Sequence, residues 1–441
     1  LAQGRGLAEG SEATIDAPPC GGKGRGVHRP RRGGLGLMLG LSAGHCIQHF
    51  CDSGLLLLLP HIRQAMALSD PAMGAIVGVR AVASGVTNVP AGIMTDMFRQ
   101  RVALMLAGSM SCLALGYVMI GLAPHYWVVL LAVTVAGVGT SLWHAPAFST
   151  LSARYPERRG LAMALNFSGG AAGDAVAPFI VGILLGGVSF WGLNWGGFGW
   201  RTVAFLNVVP AALAGSSLLA FLRSGAVAAP RPASFGQYVS SVLPLLKNGP
   251  VMGVVALFAI RGMVHQSFSV YLVLYLKEQL EYTDFVTGLH ISLLTLLGVI
   301  ASPIMGRVSD RSGRHRVIFA AMLMAAALIF CFAFAKSGIP LVILLALIGA
   351  VIFPVGSVMS AAALDAAPAG VEGSTVAVMF SGGMVIGAIA PVLAGLINQS
   401  WGFEGVTLFA GTTAVCGAIV AVLVPKGRRS ESTGNDSASR G

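Results

Sequence analysis

Long apolar segments, each about 20 residues and separated by short polar turns, constrain this chain more than any other feature. A hydrocarbon core of ~30 Å is crossed by ~20 helical residues at a rise of 1.5 Å each. Windows of that length fall at about 35–59, 71–95, 102–123, 126–150, 160–187 and 201–222, and again at about 250–276, 285–306, 317–335, 340–364, 373–398 and 403–424. Twelve such windows in 441 residues cannot all be buried in one soluble core, so the expected fold is all-α and integral to a membrane. Charge agrees: 10% of residues are charged, against about a quarter in soluble domains. The net charge of +11 could suit nucleic acid, but the basic residues lie between apolar runs and not on one face, which excludes that partner.

The expected organisation is a basic, Gly-rich disordered tail over 1–34, a six-helix bundle over 35–222, a Pro- and Ser-containing linker over 223–248, a second bundle over 249–424 and a tail over 425–441. Leu1 stands where Met would, so the tail could also be a gene-start artefact. With the N-terminus in the cytoplasm, tails and cytoplasmic loops hold about 22 of the 28 Lys and Arg, and the outward loops hold about three, Arg63, Lys277 and Lys336. Both termini are therefore expected in the cytoplasm of a multi-pass cell-membrane protein, and the short loops favour a bacterial inner membrane. A monomer is expected. The six cysteines form no CxxC pair and read as small buried hydrophobes.

Two markers recur at nearly one offset. Gly92-Ile-Met-Thr-Asp96-Met-Phe-Arg99-Gln-Arg101 returns as Gly306-Arg-Val-Ser-Asp310-Arg311-Ser-Gly313-Arg314-His-Arg316, about 214 residues later. Ser168-Gly169-Gly170, Ala177-Pro178 and Gly182 return as Ser381-Gly382-Gly383, Ala390-Pro391 and Gly395 after about 213. The chain is a tandem duplication, which is how many transporters place a central site between two rocking bundles.

The Gly-x-x-x-Asp-(Arg)-x-(Gly)-x-Arg loop resembles the signature of the major facilitator superfamily, and the resemblance covers about Leu35 to Val424. It implies twelve helices in two pseudo-symmetric bundles and a conformational latch made by Gly92, Asp96, Arg101, Gly306, Asp310, Arg311 and Arg314. The first copy departs from the pattern, with Met97 and Arg99 where a basic residue and a glycine are usual. Helix 5 partly resembles the antiporter motif through Gly173, Pro178 and Gly182, with Ala177 and Val181 in place of glycines; close packing explains the same residues. Gly44-His45, Asp52, Leu57 and Pro60, with Trp143-His144-Ala145-Pro146, resemble fosmidomycin-resistance-type exporters, while Arg158-Arg159-Gly160-Leu-Ala also resembles monocarboxylate carriers.

A charge at mid-bilayer costs at least ~2.5–3.5 kcal/mol, so each should face a cavity or a partner. Arg80, Arg261, His265, His45 and His49 are candidate substrate ligands, because fixed cations suit a carboxylate or phosphonate. Asp52 and Asp174 are candidate proton carriers. The competing account makes Asp52–Arg80 and Asp174–Arg261 neutralising structural pairs. His45, His49 and Asp52, spaced i, i+4, i+7 with Gln48 adjacent, could instead form a transition-metal ladder. His144 and His290 read as hydrogen-bonded packing residues, and Trp143, Phe148 and Phe268 as cavity or packing aromatics.

The expected activity is secondary active transport of a small organic, anionic solute or drug by alternating access, coupled to protons and with efflux favoured. The expected partners are the solute, protons and lipid. No cofactor, resident metal or catalytic residue is expected, and no phosphate-binding Gly-x-x-x-x-Gly-Lys-(Ser/Thr) loop occurs. A divalent-metal transporter, a channel and a membrane enzyme stay open as alternatives.

Overall fold

The computed structural model describes residues 35–190, 192–222, 236, 240, 243–368 and 371–424. The expected tails and most of the linker lie outside the described residues. Twelve helices account for nearly everything else: α1 (Leu35–Ala65), α2 (Asp70–Met97), α3 (Val102–Leu122), α4 (Tyr126–Arg154), α5 (Arg159–Gly186) and α6 (Trp200–Leu222), then α7 (Gly249–Leu274), α8 (Asp284–Ser312), α9 (Arg314–Phe330), α10 (Gly338–Ala366), α11 (Glu372–Gly387) and α12 (Ala390–Leu423). A short hairpin, β1 (Val188–Phe190) with β2 (Leu193–Trp195), joins α5 to α6.

Local chemistry sets several of the ends. Ser69 caps α2 by accepting from the Ala72 amide, with Pro71 in the first turn; Asn248 and Thr283 cap α7 and α8 in the same way. Gly313, at φ 90°, ends α8 and turns the chain into α9. Gly402 breaks α12 at φ 62°. Residues 390–401 therefore complete the eleventh crossing begun by α11, and 403–423 make the twelfth.

Ten helical stretches among the described residues are long and apolar enough to cross a membrane, and one of them, Gly373–Leu423, contains two crossings. α1 is not among the ten. Its His45, Gln48, His49 and Asp52 dilute its hydropathy, and these are the residues that reappear in the site below. α1 also runs past the window expected for it, through Pro60 to Ala65.

Within the first half α1 packs on α5, α3 on α4 and α6, and α2 on α4; the second half repeats this with α7 on α11, α9 on α10 and α12, and α8 on α10. The halves meet along α5–α8 and along α2 with α11 and α12. The repeated Ser-Gly-Gly is the reason α5 and α11 can lie so close to α1 and α7. A Cβ on Gly169 would overlap the Ser42 carbonyl of α1, and one on Gly383 would meet Phe258 of α7.

Candidate functional site

Each intramembrane charge lies in the central part of its helix. On α1, Asp52 forms an ion pair with Arg80 of α2. It also accepts from Thr140 Oγ1 of α4 at 3.0 Å and from Gln48 Nε2, one turn earlier, at 2.7 Å. Arg80 reaches the Asp52 carbonyl at 3.4 Å. This carboxylate has its charge matched and its lone pairs occupied, as a low-dielectric interior demands. The sequence reading paired Asp52 with Arg80 but did not find Thr140, a hydroxyl that looks like any other helix residue in sequence.

The other polar face of α1 points to α4 and α5. His49 Nδ1 lies 2.9 Å from Asp174 Oδ2, and Ser53 Oγ donates to Asp174 Oδ1 at 2.5 Å. His45 Nδ1 lies 2.7 Å from the Asn166 carbonyl, and its Nε2 is buried without a partner. His144 of α4 closes the group, its ring centroid 5.4 Å from that of His45 and 6.2 Å from that of His49. Trp143, fully buried, stacks on His45, and Phe148 packs edge-on to both His45 and His144.

Three readings weighed from the sequence need correction. The third member of the histidine group is His144 and not Asp52, because Asp52 lies seven residues, or ~10 Å, along the axis from His45 and is held by Arg80. His144 accordingly belongs to the polar cluster and is more than a packing residue, whereas His290 does bond a backbone carbonyl, that of Val286, at 2.7 Å. Asp174 and Arg261 form no ion pair; Asp174 is taken by His49 and Ser53.

In the second half, Arg261 Nε donates to the Ile352 carbonyl of α10 at 3.1 Å, and its guanidinium lies 5.9 Å from the Phe353 ring centroid. Among the described residues no carboxylate pairs with it. His265, one turn on, packs edge-on to the same ring at 4.8 Å. Arg261 and His265 both interact electrostatically with Asp174 of the first half. Phe268 is a packing residue, clustered with Phe332 and Phe403.

The two copies of the loop motif are unequally described. Gly92 sits half-buried on α2 and Arg101 is exposed, while the Asp96 side chain lies outside the described residues. In the second copy Gly306 has open space about it and Arg311 is exposed. Arg314 ties the corner together: it pairs with Asp310, donates to Ser309 Oγ at 2.8 Å and bonds Asp365 Oδ2 of α10 at 3.1 Å. Asp365 lies outside the motif, and only the fold brings it there.

At the opposite end, beside the α1–α2 turn, side chains join the halves. His61 Nε2 lies 3.0 Å from Asp284 Oδ1, which also pairs with Lys277 at 2.9 Å. Arg63 bridges Asp70 at 2.8 Å and Glu278 at 2.6 Å. Asn398 donates to Asp70 Oδ2 at 2.7 Å, and the Tyr271 hydroxyl sits 2.9 Å from both the Asp70 and Pro391 carbonyls. Among the described residues, the ion pairs that cross between halves are all at this end. Nearby, Lys336 pairs with Glu404, whose carboxylate raises the ammonium above its ordinary pKa.

Comparisons with known proteins agree with this architecture. The family model described as Major Facilitator Superfamily matches residues 41–388 and 276–440. The chain is 24% identical to the fosmidomycin resistance protein of Escherichia coli over 296 residues, 66% of this chain and 69% of that one. It is also 24% identical to an agnestins efflux protein of Paecilomyces divaricatus over 335 residues, 75% of this chain and 73% of the relative. A bacterial homologue of the human lysosomal transporter Spinster, solved inward-facing and unoccupied, superposes with a TM-score of 0.72 at 14% identity, covering 88% of this chain and 94% of the other. A multi-pass chain of two pseudo-symmetric six-helix bundles with this match is a secondary transporter and not an enzyme: it belongs to the Major Facilitator Superfamily.

Proposed function

We propose that the transporter carries a small organic anion, a carboxylate or phosphonate, and couples its movement to protons. The observation that carries this reading is Arg261. A guanidinium in the middle of a membrane helix that, among the described residues, bonds a backbone carbonyl and an aromatic face but no carboxylate needs an anionic partner, and its planar fork matches carboxylate or phosphonate oxygens. His265 adds a donor beside it. Arg80, neutralised by Asp52, is the second cation of the path, and His45 and His49 line the facing wall.

Asp174 is the proton carrier best supported. Its partners are a histidine and a serine and not a fixed cation, so protonation does not strand a buried positive charge. Asp52, locked to Arg80, is the alternative carrier. The loop motif around Arg314 and the seam around Asp70 and Asp284 are the contacts that exchange as the halves rock. With positive residues concentrated at the end where α1 begins and α12 ends, that end faces the cytoplasm of a cell membrane, the seam faces outward and the working unit is a monomer. The match to efflux proteins favours export.

The test is uptake by proteoliposomes of a panel of carboxylates and phosphonates, with and without an imposed pH gradient. Arg261→Ala should abolish saturable uptake. Asp174→Asn should retain exchange but lose gradient-driven accumulation. Wild-type behaviour of both variants would overturn the proposal.

A further inference from the structure

We infer that His45, His49 and His144 form a binding site for one divalent transition-metal ion of the zinc class, built from three imidazole nitrogens of α1 and α4 with a fourth position left open. The inference goes beyond anion transport and does not depend on it.

The geometry carries it. One nitrogen of each histidine lies within 4.8 Å of a nitrogen of the other two. Zinc–imidazole bonds of ~2.0–2.1 Å in a tetrahedron place ligand nitrogens ~3.3 Å apart, so small χ rotations complete the set. Two of the rings are also partnered as metal-bound imidazoles are. A ligating histidine gives its second ring nitrogen to a carboxylate or a backbone carbonyl, which fixes the tautomer and points the free nitrogen at the ion. His49 gives Nδ1 to Asp174 and His45 gives Nδ1 to the Asn166 carbonyl, which leaves Nε2 free on both.

Two further facts are hard to explain by packing alone. His45 is 2% exposed, yet its Nε2 has no hydrogen-bond partner, and an orphaned polar atom in that setting is costly. In addition, α5 has no side chain where the rings converge: a Cβ on Gly170 would stand 3.0 Å from His45 Cε1 and 3.1 Å from His49 Nε2. The cations Arg80 and Arg261 are offset by neighbouring carboxylates, since Arg80 is paired with Asp52 and Arg261 feels the charge of Asp174. Asp174 is a positioning residue for the ion and supplies balancing charge.

The experiment uses full-length protein without a histidine tag, purified in detergent, freed of metal with a chelator and titrated with Zn²⁺ by calorimetry and with Co²⁺ by visible absorption. Wild type should bind one equivalent, show the intense bands of tetrahedral Co²⁺, and melt at higher temperature with Zn²⁺ present. His144→Ala should weaken binding at least tenfold and lose both signatures, and Asp174→Asn should weaken it about 10- to 100-fold, as removal of an orienting partner does. His290→Ala, outside the cluster, should bind as wild type does. Absence of binding in folded wild type, or binding that survives in His144→Ala, overturns the inference. Transport is not the readout, so failure of the metal site and failure of the anion reading are separate outcomes.

Discussion

His61 of α1 and Asp284 of α8 face each other at 3.0 Å across the boundary between the two halves. With Arg63–Glu278 and Asn398–Asp70 they hold the α1–α2 end shut. Asp284→Ala removes the partner of both His61 and Lys277. Each such pair is worth on the order of 0.2–1 kcal/mol, so the closed state should lose about 1 kcal/mol, or roughly fivefold in population. Reactivity of cysteines introduced along the seam should rise by that factor; unchanged reactivity would show that the apolar α5–α8 contact alone closes this end.

The Asp52–Arg80 pair predicts a non-additive stability pattern. Arg80→Ala leaves a buried carboxylate uncompensated, a loss of about 3–5 kcal/mol, visible as poor recovery and a lowered Tm in detergent. Asp52→Asn combined with Arg80→Gln removes both charges and should restore much of it. A double variant no better than Arg80→Ala would mean that the two side chains act separately.

Close approach of α5 to α1 makes Gly173→Ala costly. Its new methyl would overlap the Cys46 carbonyl, and backbone cannot move aside as a flexible side chain can, so about 1–3 kcal/mol should be lost. Gly108→Ala, with nothing near its Cβ position, should leave the Tm unchanged. Equal effects at the two sites would argue against the close α1–α5 approach.

Arg314 joins α8, α9 and α10 through Asp310, Ser309 and Asp365. Because both carboxylates are more than half exposed, Arg314→Ala should cost no more than about 1 kcal/mol of stability. Its effect on transport should be larger, since a corner that must re-form each cycle acts on rates. Arg314→Lys should rescue poorly because one ammonium cannot span three acceptors. Full activity in Arg314→Ala would remove the latch from the mechanism.

Much of the architecture was legible in the chain because its signals are local. A membrane helix satisfies its backbone within itself, so apolar length alone located the crossings, and the paired loop motifs and Ser-Gly-Gly runs exposed the duplication. Intramembrane charges stood out for the same reason: each is costly where it sits. Thr140, Asp365 and Asn166 were not legible, since an isolated hydroxyl, an exposed carboxylate at a helix end and a backbone carbonyl carry no pattern. Asp70, Tyr271 and Asn398 meet across the seam from three helices far apart in sequence.

The sequence by itself determined that this chain is a duplicated bundle of membrane helices with a small set of polar residues inside the bilayer. Only the tertiary structure decided how those residues are partnered: Asp52 with Arg80 and Thr140, Asp174 with His49 and Ser53, His144 with the α1 histidines, and Arg261, among the described residues, with no carboxylate. Partnering depends on how each helix is rotated and how closely it approaches its neighbours, and small residues such as Gly170 and Gly173 set both through contacts more than a hundred residues apart in the chain.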